Sequence, residues 1–360
     1  MIYNKIYDFC KVKNAGTCYE NGDELTPRLK YIIGLIESLG IDYEIDVFKE
    51  NEPASKSYKL DKSGKVISEE KGESNNKLEN EQEDLNKELK EIRSKIDDLR
   101  DKLFDIFDRS PKSIEIRKSI NNKIRDLLEE EYQVKTKLRK IGGGFMSNWF
   151  SFDRGNNYYF NIIMKGTSDK MVVAHHDIVN PNSDNANDNS CSVINAIATK
   201  ILKPDLNVCL LDGEEMGGKG SSRVSKLIKA GKFGSIKWVL NYELTGKGGK
   251  NFFIGDYPGP LFDLIRKKFN PPVVNTPFND SVIFRQNGID SCVINPLPPL
   301  NGSETEGSRN RRGYSIVTKE GLVLDHTLLS NCHSMSDSVS TISPKEMKEF
   351  VEDIVLEILK

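Results

Sequence analysis

Apolar and polar residues follow two different spacings along the chain. Pro27 opens an amphipathic helical run that stops at Gly40, and apolar residues then alternate from Ile41 to Val47, as in a strand. Beyond Tyr158, short apolar runs that predict buried strands alternate with amphipathic runs that predict helices. The strands are predicted at residues 158–164, 170–174, 207–212, 237–242 and 291–294, and the helices at residues 192–203, 220–230, 260–269 and 345–359. This alternation predicts a three-layer α/β/α domain with a mostly parallel mixed sheet, whose ligands gather at the carboxyl ends of the strands.

Between residues 77 and 141 the apolar positions recur at intervals of four and three, which is a heptad seam. The first run contains Leu85, Leu89, Ile92, Ile96, Leu99, Leu103 and Ile106, and the second contains Ile116, Ile120, Ile124, Leu127, Val134, Leu138 and Ile141. Ser110 and Pro111 separate the runs, so the pattern predicts an antiparallel helical hairpin of the coiled-coil type. We therefore expect a hairpin at residues 72–142, inserted into one discontinuous domain formed by residues 1–66 and 145–360.

Composition narrows the possible partners and the location. The chain is 37% hydrophobic and 29% charged with a net charge of -2, which gives no electrostatic reason to expect nucleic acid or a membrane surface as partner. The amino-terminal residues lack the basic and apolar regions of a secretory signal, so a cytoplasmic location is expected. Six scattered cysteines without a C-x-x-C pair indicate reduced thiols rather than a disulfide scaffold.

The first candidate for chemistry is a pair of histidines at a strand end. His175 and His176 close an apolar run and are followed by Asp177. On an extended chain His175 and Asp177 point to the same side, so Asp177 can orient the imidazole of His175 toward a metal. Taken alone this signal is weak, because a strand-end histidine is more often a satisfied polar residue than a ligand.

Four further acidic or imidazole clusters follow in order. Asp188 lies in an Asn-rich loop before an apolar helix, Glu214 and Glu215 follow a buried strand, Glu243 ends another strand, and His333 comes late in the chain. Of two adjacent carboxylates, one can bind a metal while its neighbour takes a proton from a bound water. Two histidines, a bridging aspartate and two glutamates suit two zinc ions, with Glu214 left as the base.

This ordered set resembles the zinc exopeptidase superfamily that includes bacterial leucyl aminopeptidases and glutamate carboxypeptidase. The resemblance covers the first fifty residues and the chain from about Asn161 onward. Its pattern of H-x-D, an Asp-Asn loop, E-E-x-G-x-x-G-S, an acidic strand end and a late histidine is matched here by His175, Asp177, Asp188, Glu214, Glu215, Glu243 and His333. The resemblance implies that Asp188 bridges two zinc ions, that Glu214 is the general base, and that the other ligands are His175, Glu215, Glu243 and His333. It also implies hydrolysis of an amide bond in a peptide or peptide-like substrate, with an aminopeptidase expected.

Two departures and two rival functions stay open. Glu243 stands where many aminopeptidases of the superfamily have Asp, and Ser281 stands where the pattern S-D-H-x-x-F has His. A single-zinc acyltransferase of the glutaminyl cyclase kind is one rival, and retention of both His175 and His333 argues against it. A non-catalytic protein that binds a partner or a second copy through the hairpin is the other, and an intact Glu214 argues against that.

Overall fold

A computed structural model describes residues 2–12, 23–50, 52–71, 76–104, 111–140, 158–274, 276, 278–296 and 331–360. The chain forms two compact units, one of Met1–Gly72 with Asn148–Lys360 and the other of Glu73–Ser147. Of the predicted seam residues, Ile106 and Ile141 lie outside the described residues. Of the helices in the described ranges, none has both the length and the apolar character needed to cross a membrane.

An eight-stranded sheet in the order β1-β4-β6-β5-β7-β10-β8-β9 forms the centre of the larger unit. Its strands are β1 (Glu44–Lys49), β4 (Tyr158–Met164), β5 (Lys170–His175), β6 (Asn207–Leu211), β7 (Trp238–Tyr242), β8 (Phe253–Gly255), β9 (Val273–Val274) and β10 (Ser291–Asn295). Strands β6, β5, β7 and β10 are parallel to one another, and β4 pairs antiparallel to both β1 and β6. Strand β8 pairs antiparallel to β10 and parallel to β9. A separate two-stranded hairpin consists of β2 (Lys56–Leu60) and β3 (Val66–Lys71).

Helices cover both faces of this sheet. They are α1 (Ile6–Phe9), α2 (Pro27–Ser38), α5 (Cys191–Leu202), α6 (Lys219–Lys229), α7 (Pro260–Phe269), α8 (Asp280–Gln286), α9 (Pro344–Glu349) and α10 (Leu356–Ile358), with a π-helical turn, Phe350–Val355, between the last two. Helix α2 begins as its sequence predicts, because Pro27 occupies the first turn and the Thr26 hydroxyl accepts the N–H of Leu29 at 3.2 Å.

Alternate residues of the central strands supply two separate apolar cores. In β5, Val172 and Ala174 pack with residues of α2, α5, α7 and α9, while Met171 and Val173 pack with residues of α6 and α8. This is the period of two expected for a strand buried on both faces. The predicted α/β/α fold class is thereby confirmed, and the carboxyl ends of β5, β6 and β7 meet at one edge of the sheet.

The smaller unit contains two long helices, α3 (Asn76–Phe104) and α4 (Pro111–Lys140). Leu85, Leu89, Ile92 and Ile96 of the predicted first seam are buried and pack with Val134 of α4. Arg93 of α3 donates to Glu131 of α4 at 2.9 Å. Ile116, at the start of α4, is 43% exposed and lies outside this packed seam.

Candidate metal centre and active site

The candidate residues lie where three neighbouring parallel strands end. His175 is the last residue of β5, Glu214 and Glu215 follow β6, and Glu243 follows β7. Because β6, β5 and β7 are adjacent and parallel, these side chains meet at the carboxyl edge of the sheet. Asp188 joins them from the segment Ala186–Ser190, which precedes α5 and whose backbone is non-helical at Asp188 and Asn189.

Asp188 lies between the two candidate histidines. Its Oδ1 is 3.3 Å from Nε2 of His175, and its Oδ2 is 3.2 Å from Nε2 of His333. Each of these Nε2 atoms also faces a glutamate. That of His175 is 3.5 Å from Glu243 Oε2, and that of His333 is 2.9 Å from Glu215 Oε1.

The side chains therefore form two groups that share one carboxylate. The first is His175, Asp188 and Glu243, and the second is Asp188, Glu215 and His333, with the ligand atoms of each group within 4.8 Å of one another. Each group offers one imidazole nitrogen and carboxylate oxygens, the ligand types that zinc accepts, and three protein ligands leave a fourth position open for water or substrate. The donor set present thus fits two zinc ions.

Glu214 belongs to neither of these two groups, but with His175 and Glu215 it forms a third group that could hold a metal ion. One of its carboxylate oxygens lies within 4.8 Å of ligand atoms of both His175 and Glu215. Its side chain is buried, with 9% of the residue exposed. A carboxylate in this place can exchange a proton with a molecule held between the two groups.

Asp177 contacts both sides of the cluster. Its Oδ1 lies 3.3 Å from Nδ1 of His175, within ion-pair distance although without hydrogen-bond geometry. The same carboxylate accepts the backbone N–H of Glu214 at 3.2 Å and that of Glu215 at 3.1 Å. Besides facing His175 as expected, Asp177 therefore fixes the backbone that carries both glutamates.

Two asparagines that the sequence analysis did not single out hold Glu243. Asn189 donates to Glu243 Oε2 at 3.1 Å and to the carbonyl oxygen of Tyr242 at 3.1 Å. Asn241 donates to Glu243 Oε1 at 3.3 Å. Both oxygens of this carboxylate thus accept an amide donor, which sets its orientation. The only sequence signals were adjacency, since Asn189 follows Asp188 and Asn241 lies two residues before Glu243.

Asp337 is a third residue that holds part of the candidate site in place, and it was not predicted from the sequence. Its carboxylate accepts the backbone N–H of Asn187 at 2.8 Å and that of Asp188 at 3.0 Å. Asp337 follows His333 by four residues, and the φ angle of His333 is 61°, a left-handed conformation that non-glycine residues rarely adopt. A strained backbone therefore places His333, and Asp337 ties its segment to the loop of Asp188.

Charge is unevenly distributed in the cluster. Burial lowers the pKa of His175, but Glu243 and two aspartates outweigh burial and raise it well above its usual range. Hydrogen bonds to Asp188 and Glu215 raise the pKa of His333 to about 10. Burial, followed by the charge of Asp188, raises the pKa of Glu215 to about 7. Burial also raises the pKa of Glu214 well above its usual range. Carboxylates outnumber histidines here, so the site attracts cations.

Ser281 stands where the resembled pattern has a histidine. It is fully buried in α8, and its hydroxyl accepts a hydrogen bond from Ser291 of β10 at 3.0 Å. The preceding residue, Asp280, is also fully buried, and burial raises its pKa to about 7. The charges of Glu214 and Asp280 repel each other, so Asp280 influences the proton affinity of the candidate base.

The fold and the site together define an α/β/α protein with a paired candidate metal site at the carboxyl edge of its central sheet. The chain belongs to peptidase family M28, whose sequence profile matches residues 161–358. The resemblance noted in the sequence is thereby confirmed. A search of curated proteins finds no match to this sequence.

Solved structures with a similar fold include three enzymes. An aminopeptidase from Aneurinibacillus sp. strain AM-1 is similar over 99% of this chain and 92% of its own, with 13% identity and a TM-score of 0.50. A zinc aminopeptidase from Bacillus subtilis is 20% identical over 57% of this chain and 50% of its own, with a TM-score of 0.42. A glutaminyl cyclase from Fimbriiglobus ruber is 15% identical over 64% of this chain and 86% of its own, with a TM-score of 0.40. The present chain thus matches half the length of the Bacillus enzyme.

Proposed function

We propose that this chain is a zinc-dependent exopeptidase that hydrolyses the amide bond of the amino-terminal residue in a peptide or peptide-like substrate. The observation that carries this proposal is the position of Asp188, whose two oxygens lie 3.3 and 3.2 Å from His175 and His333. One carboxylate shared by two ligand groups is the arrangement needed for two metal ions that act on the same bond. Membership of peptidase family M28 supports a peptide substrate.

The ligands divide between two zinc ions. We assign His175, Asp188 and Glu243 to one ion, and Asp188, Glu215 and His333 to the other. Zinc held in such a site lowers the pKa of a water molecule toward about 7 and polarises the carbonyl of the substrate. Asp177 contributes by orienting His175 and by holding the backbone of Glu215.

Glu214 handles the proton in this proposal. It takes a proton from the attacking water and passes it to the nitrogen of the leaving amine, so that the amide C–N bond breaks and a carboxylic acid and an amine result. Its burial supports the role, because a carboxylate removed from bulk water holds a proton more readily than one in solution. The contact of its N–H with Asp177 keeps it beside the two ligand groups.

The charge of the site favours an amino terminus over a carboxyl terminus. Asp188, Glu215 and Glu243 all lie within the ligand groups, and Asp280 adds a further carboxylate close by. The zinc ions offset the charges of the three ligand carboxylates, so the acidic groups that attract an ammonium group at the end of a substrate, and repel a carboxylate, are Glu214 and Asp280. We therefore expect a free α-amino group to be required.

Metal analysis and a substrate panel test the proposal. The protein is loaded with zinc, freed of excess metal, and assayed on leucine p-nitroanilide, on its N-acetylated form and on amino-terminal glutamine peptides. We expect two zinc ions per chain and hydrolysis of the substrates that have a free amine, but not of the N-acetylated form. One zinc with cyclisation of glutamine would instead identify the cyclase-like rival. A chain that holds no zinc and cleaves nothing would be a binding protein.

We also propose a cytoplasmic location and a partner contact made by the helical pair. On α3 and α4, charged residues such as Lys95, Asp98, Lys123 and Asp126 line a groove of about 470 Å³ between the helices. We infer that this surface mediates self-association or binds another protein. Size-exclusion chromatography with light scattering tests the first, and a monomer at all concentrations contradicts it.

A further inference from the structure

Glu214 and Glu215 lie on a loop that is closed by its own backbone. The N–H of Gly220 donates to the carbonyl oxygen of Asp212 at 2.7 Å, and the N–H of Lys219 donates to that of Gly213 at 2.9 Å. We call residues 212–220 the glutamate loop, and Asp212 with Gly220 its neck. Since the loop is narrow at the neck, any shift there moves both glutamates.

The side chain of Asn161, in the middle of β4, bridges this neck. Its Oδ1 accepts the N–H of Asp212 at 3.0 Å, and its Nδ2 donates to the carbonyl oxygen of Gly220 at 3.4 Å. Pairing between β4 and β6 extends only as far as Ile162 opposite Leu210. Beyond that point the two strands are no longer paired, and the carboxamide of Asn161 connects β4 to the glutamate loop instead.

The fit at the neck leaves no free space. A Cβ atom on Gly220 would lie 2.6 Å from Oδ1 of Asn161, so the loop backbone is in direct contact with the carboxamide. Asn161 is fully buried, and its Nδ2 is 3.5 Å from Asp46, which Arg223 holds at 2.9 Å. Burying an amide in an apolar strand is costly unless its hydrogen bonds are made, and here two of the three bonds that Asn161 makes fall on the glutamate loop.

We propose that Asn161 is a positioning residue for Glu214 and Glu215. Two side chains from outside the loop then hold it, Asn161 at its neck and Asp177 at the N–H groups of the two glutamates. The backbone N–H of Phe160, which donates to Asp212 Oδ2 at 2.9 Å, is a further link to β4. Removal of either side chain lets the loop move relative to the site. This inference rests on the proposed function for its catalytic consequence, but its effect on Glu215 concerns zinc binding alone.

Asn207 provides a matched control for a test of this role. It is also fully buried, and its carboxamide also clamps a turn, since Oδ1 accepts the N–H of Gly166 at 2.9 Å and Nδ2 donates to Ser168 at 2.6 Å. However, Asn207 is the first residue of β6, at the opposite end of the strand from the glutamate loop. Asn161→Leu and Asn207→Leu therefore each remove one buried carboxamide and its hydrogen bonds, at opposite edges of the sheet.

The variants are compared by competition for zinc with a chromogenic chelator, by thermal unfolding, and by hydrogen exchange of the metal-free proteins. We expect both variants to lose thermal stability. Only Asn161→Leu should weaken zinc binding, by about 10- to 100-fold, and speed exchange in the glutamate loop. Where hydrolysis is measurable, kcat should fall in Asn161→Leu with KM nearly unchanged, because Glu214 acts in the chemical step.

The outcomes separate this inference from the proposed function. Equal zinc affinity and equal loop exchange in the two variants would overturn the role of Asn161, whatever the activity. A wild-type protein without amidase activity overturns the proposed function, yet the comparison of zinc affinity and exchange still decides the role of Asn161. If either leucine variant fails to fold, Asn161→Ser and Asn207→Ser make the same comparison with less steric disturbance.

Discussion

The carboxylate of Asp337 accepts the backbone N–H of Asp188 at 3.0 Å. Asp337 belongs to the segment of His333, and Asp188 belongs to the loop before α5, so this bond joins two parts of the chain that are 149 residues apart. His333 and Asp188 meet beside it, with Nε2 and Oδ2 3.2 Å apart. The bond thus sets the distance between two candidate ligands of one metal ion.

Replacement of Asp337 by Asn should weaken binding of the zinc ion that we assign to Asp188, Glu215 and His333. The two oxygens of Asp337 each accept one backbone N–H, from Asn187 and from Asp188. An amide has only one acceptor oxygen, so in the variant one of these N–H groups would face the NH₂ group of the amide, which is itself a donor. We expect zinc affinity to fall by about 10- to 100-fold, the usual effect of removing a residue that supports a ligand. Titration against a chelator measures the change.

Asp184→Asn is the control for that experiment. Asp184 also accepts a backbone N–H across the same two segments, that of Val339 at 3.0 Å, but neither residue is a candidate ligand. We expect nearly normal zinc affinity in this variant. Equal losses in Asp184→Asn and Asp337→Asn would mean that general loosening, rather than the position of Asp188, lowers the affinity.

Glu214→Gln should separate chemistry from metal binding. Gln preserves the shape of the side chain but cannot accept a proton, so kcat should fall by a factor of about 10² to 10⁴ while both zinc ions stay bound. Steady-state kinetics and metal analysis on the same preparation provide the two readings. Glu215→Gln is the comparison, because loss of a ligand there should lower the zinc content. Unchanged turnover in Glu214→Gln removes this residue from the mechanism.

Each candidate histidine should be needed for one metal ion. His175→Ala and His333→Ala each remove the only imidazole from one ligand group, and water replaces a nitrogen ligand poorly. We expect about one zinc ion per chain in either variant. His176→Gln is the matched control, since His176 is adjacent and buried but faces the carbonyl oxygen of Phe160 at 2.8 Å. Full occupancy after loss of His175 or His333 contradicts the assignment.

Zinc binding should release protons at neutral pH. The pKa of His333 is raised to about 10 and that of His175 is raised well above its usual range, so we expect both imidazoles to carry a proton at neutral pH in the metal-free protein. A histidine binds a metal ion only through a deprotonated ring nitrogen, so about one proton leaves from each imidazole as the two ions bind. Calorimetry in two buffers of different ionisation enthalpy counts these protons. Identical enthalpies in both buffers would show that no proton is released.

The sign of the pH dependence follows from the same groups. Because their pKa values are raised, protons compete with zinc throughout the neutral range, and the affinity should increase as the pH rises from 6 to 8. Glu215, with its pKa raised to about 7, adds to this trend at the acidic end. An affinity that stays constant over this range would mean that these ligands are already deprotonated without metal.

The central layers of the fold were predictable because burial leaves a strong pattern in the sequence. Strands β5, β6 and β7 are continuous apolar runs, and each ends in polar residues that the parallel arrangement brings together. The short strands β8 and β9, with three and two residues, were not predicted, because so few residues cannot show an alternating apolar pattern. The antiparallel pairing of β1 and β4 was also not predicted, because these strands are separated by the whole helical pair.

The candidate site was predictable to a different degree. His175, Glu215 and Glu243 were found because each follows or ends an apolar strand, and the structure brings them together with Asp188 and His333. Their roles as ligands stay predictions until metal is measured. Asn161 and Asp337 could not be identified, because a hydrogen bond between a side chain and a backbone N–H far away in the chain produces no recognisable sequence pattern.

The helical pair should be dispensable for hydrolysis. Every residue that we assign to metal or catalysis lies in the larger unit, whereas α3 and α4 belong to the smaller one. The helices also have an apolar cluster of their own, which includes Leu89, Ile92 and Val134. A unit that buries its own apolar residues can be removed without opening another core.

The deletion replaces residues 76–141 by a short Gly/Ser linker, for which loop closure costs little free energy. We expect the shortened protein to bind two zinc ions and to hydrolyse leucine p-nitroanilide with nearly normal kcat/KM. The change should appear in the oligomeric state or in the cleavage of long peptides, because the exposed charged faces of α3 and α4 are lost. The same deletion with Glu214→Gln is the inactive control. A shortened protein that folds poorly or loses zinc would place the helical pair within the catalytic domain, and the predicted boundaries at residues 72 and 142 would be wrong.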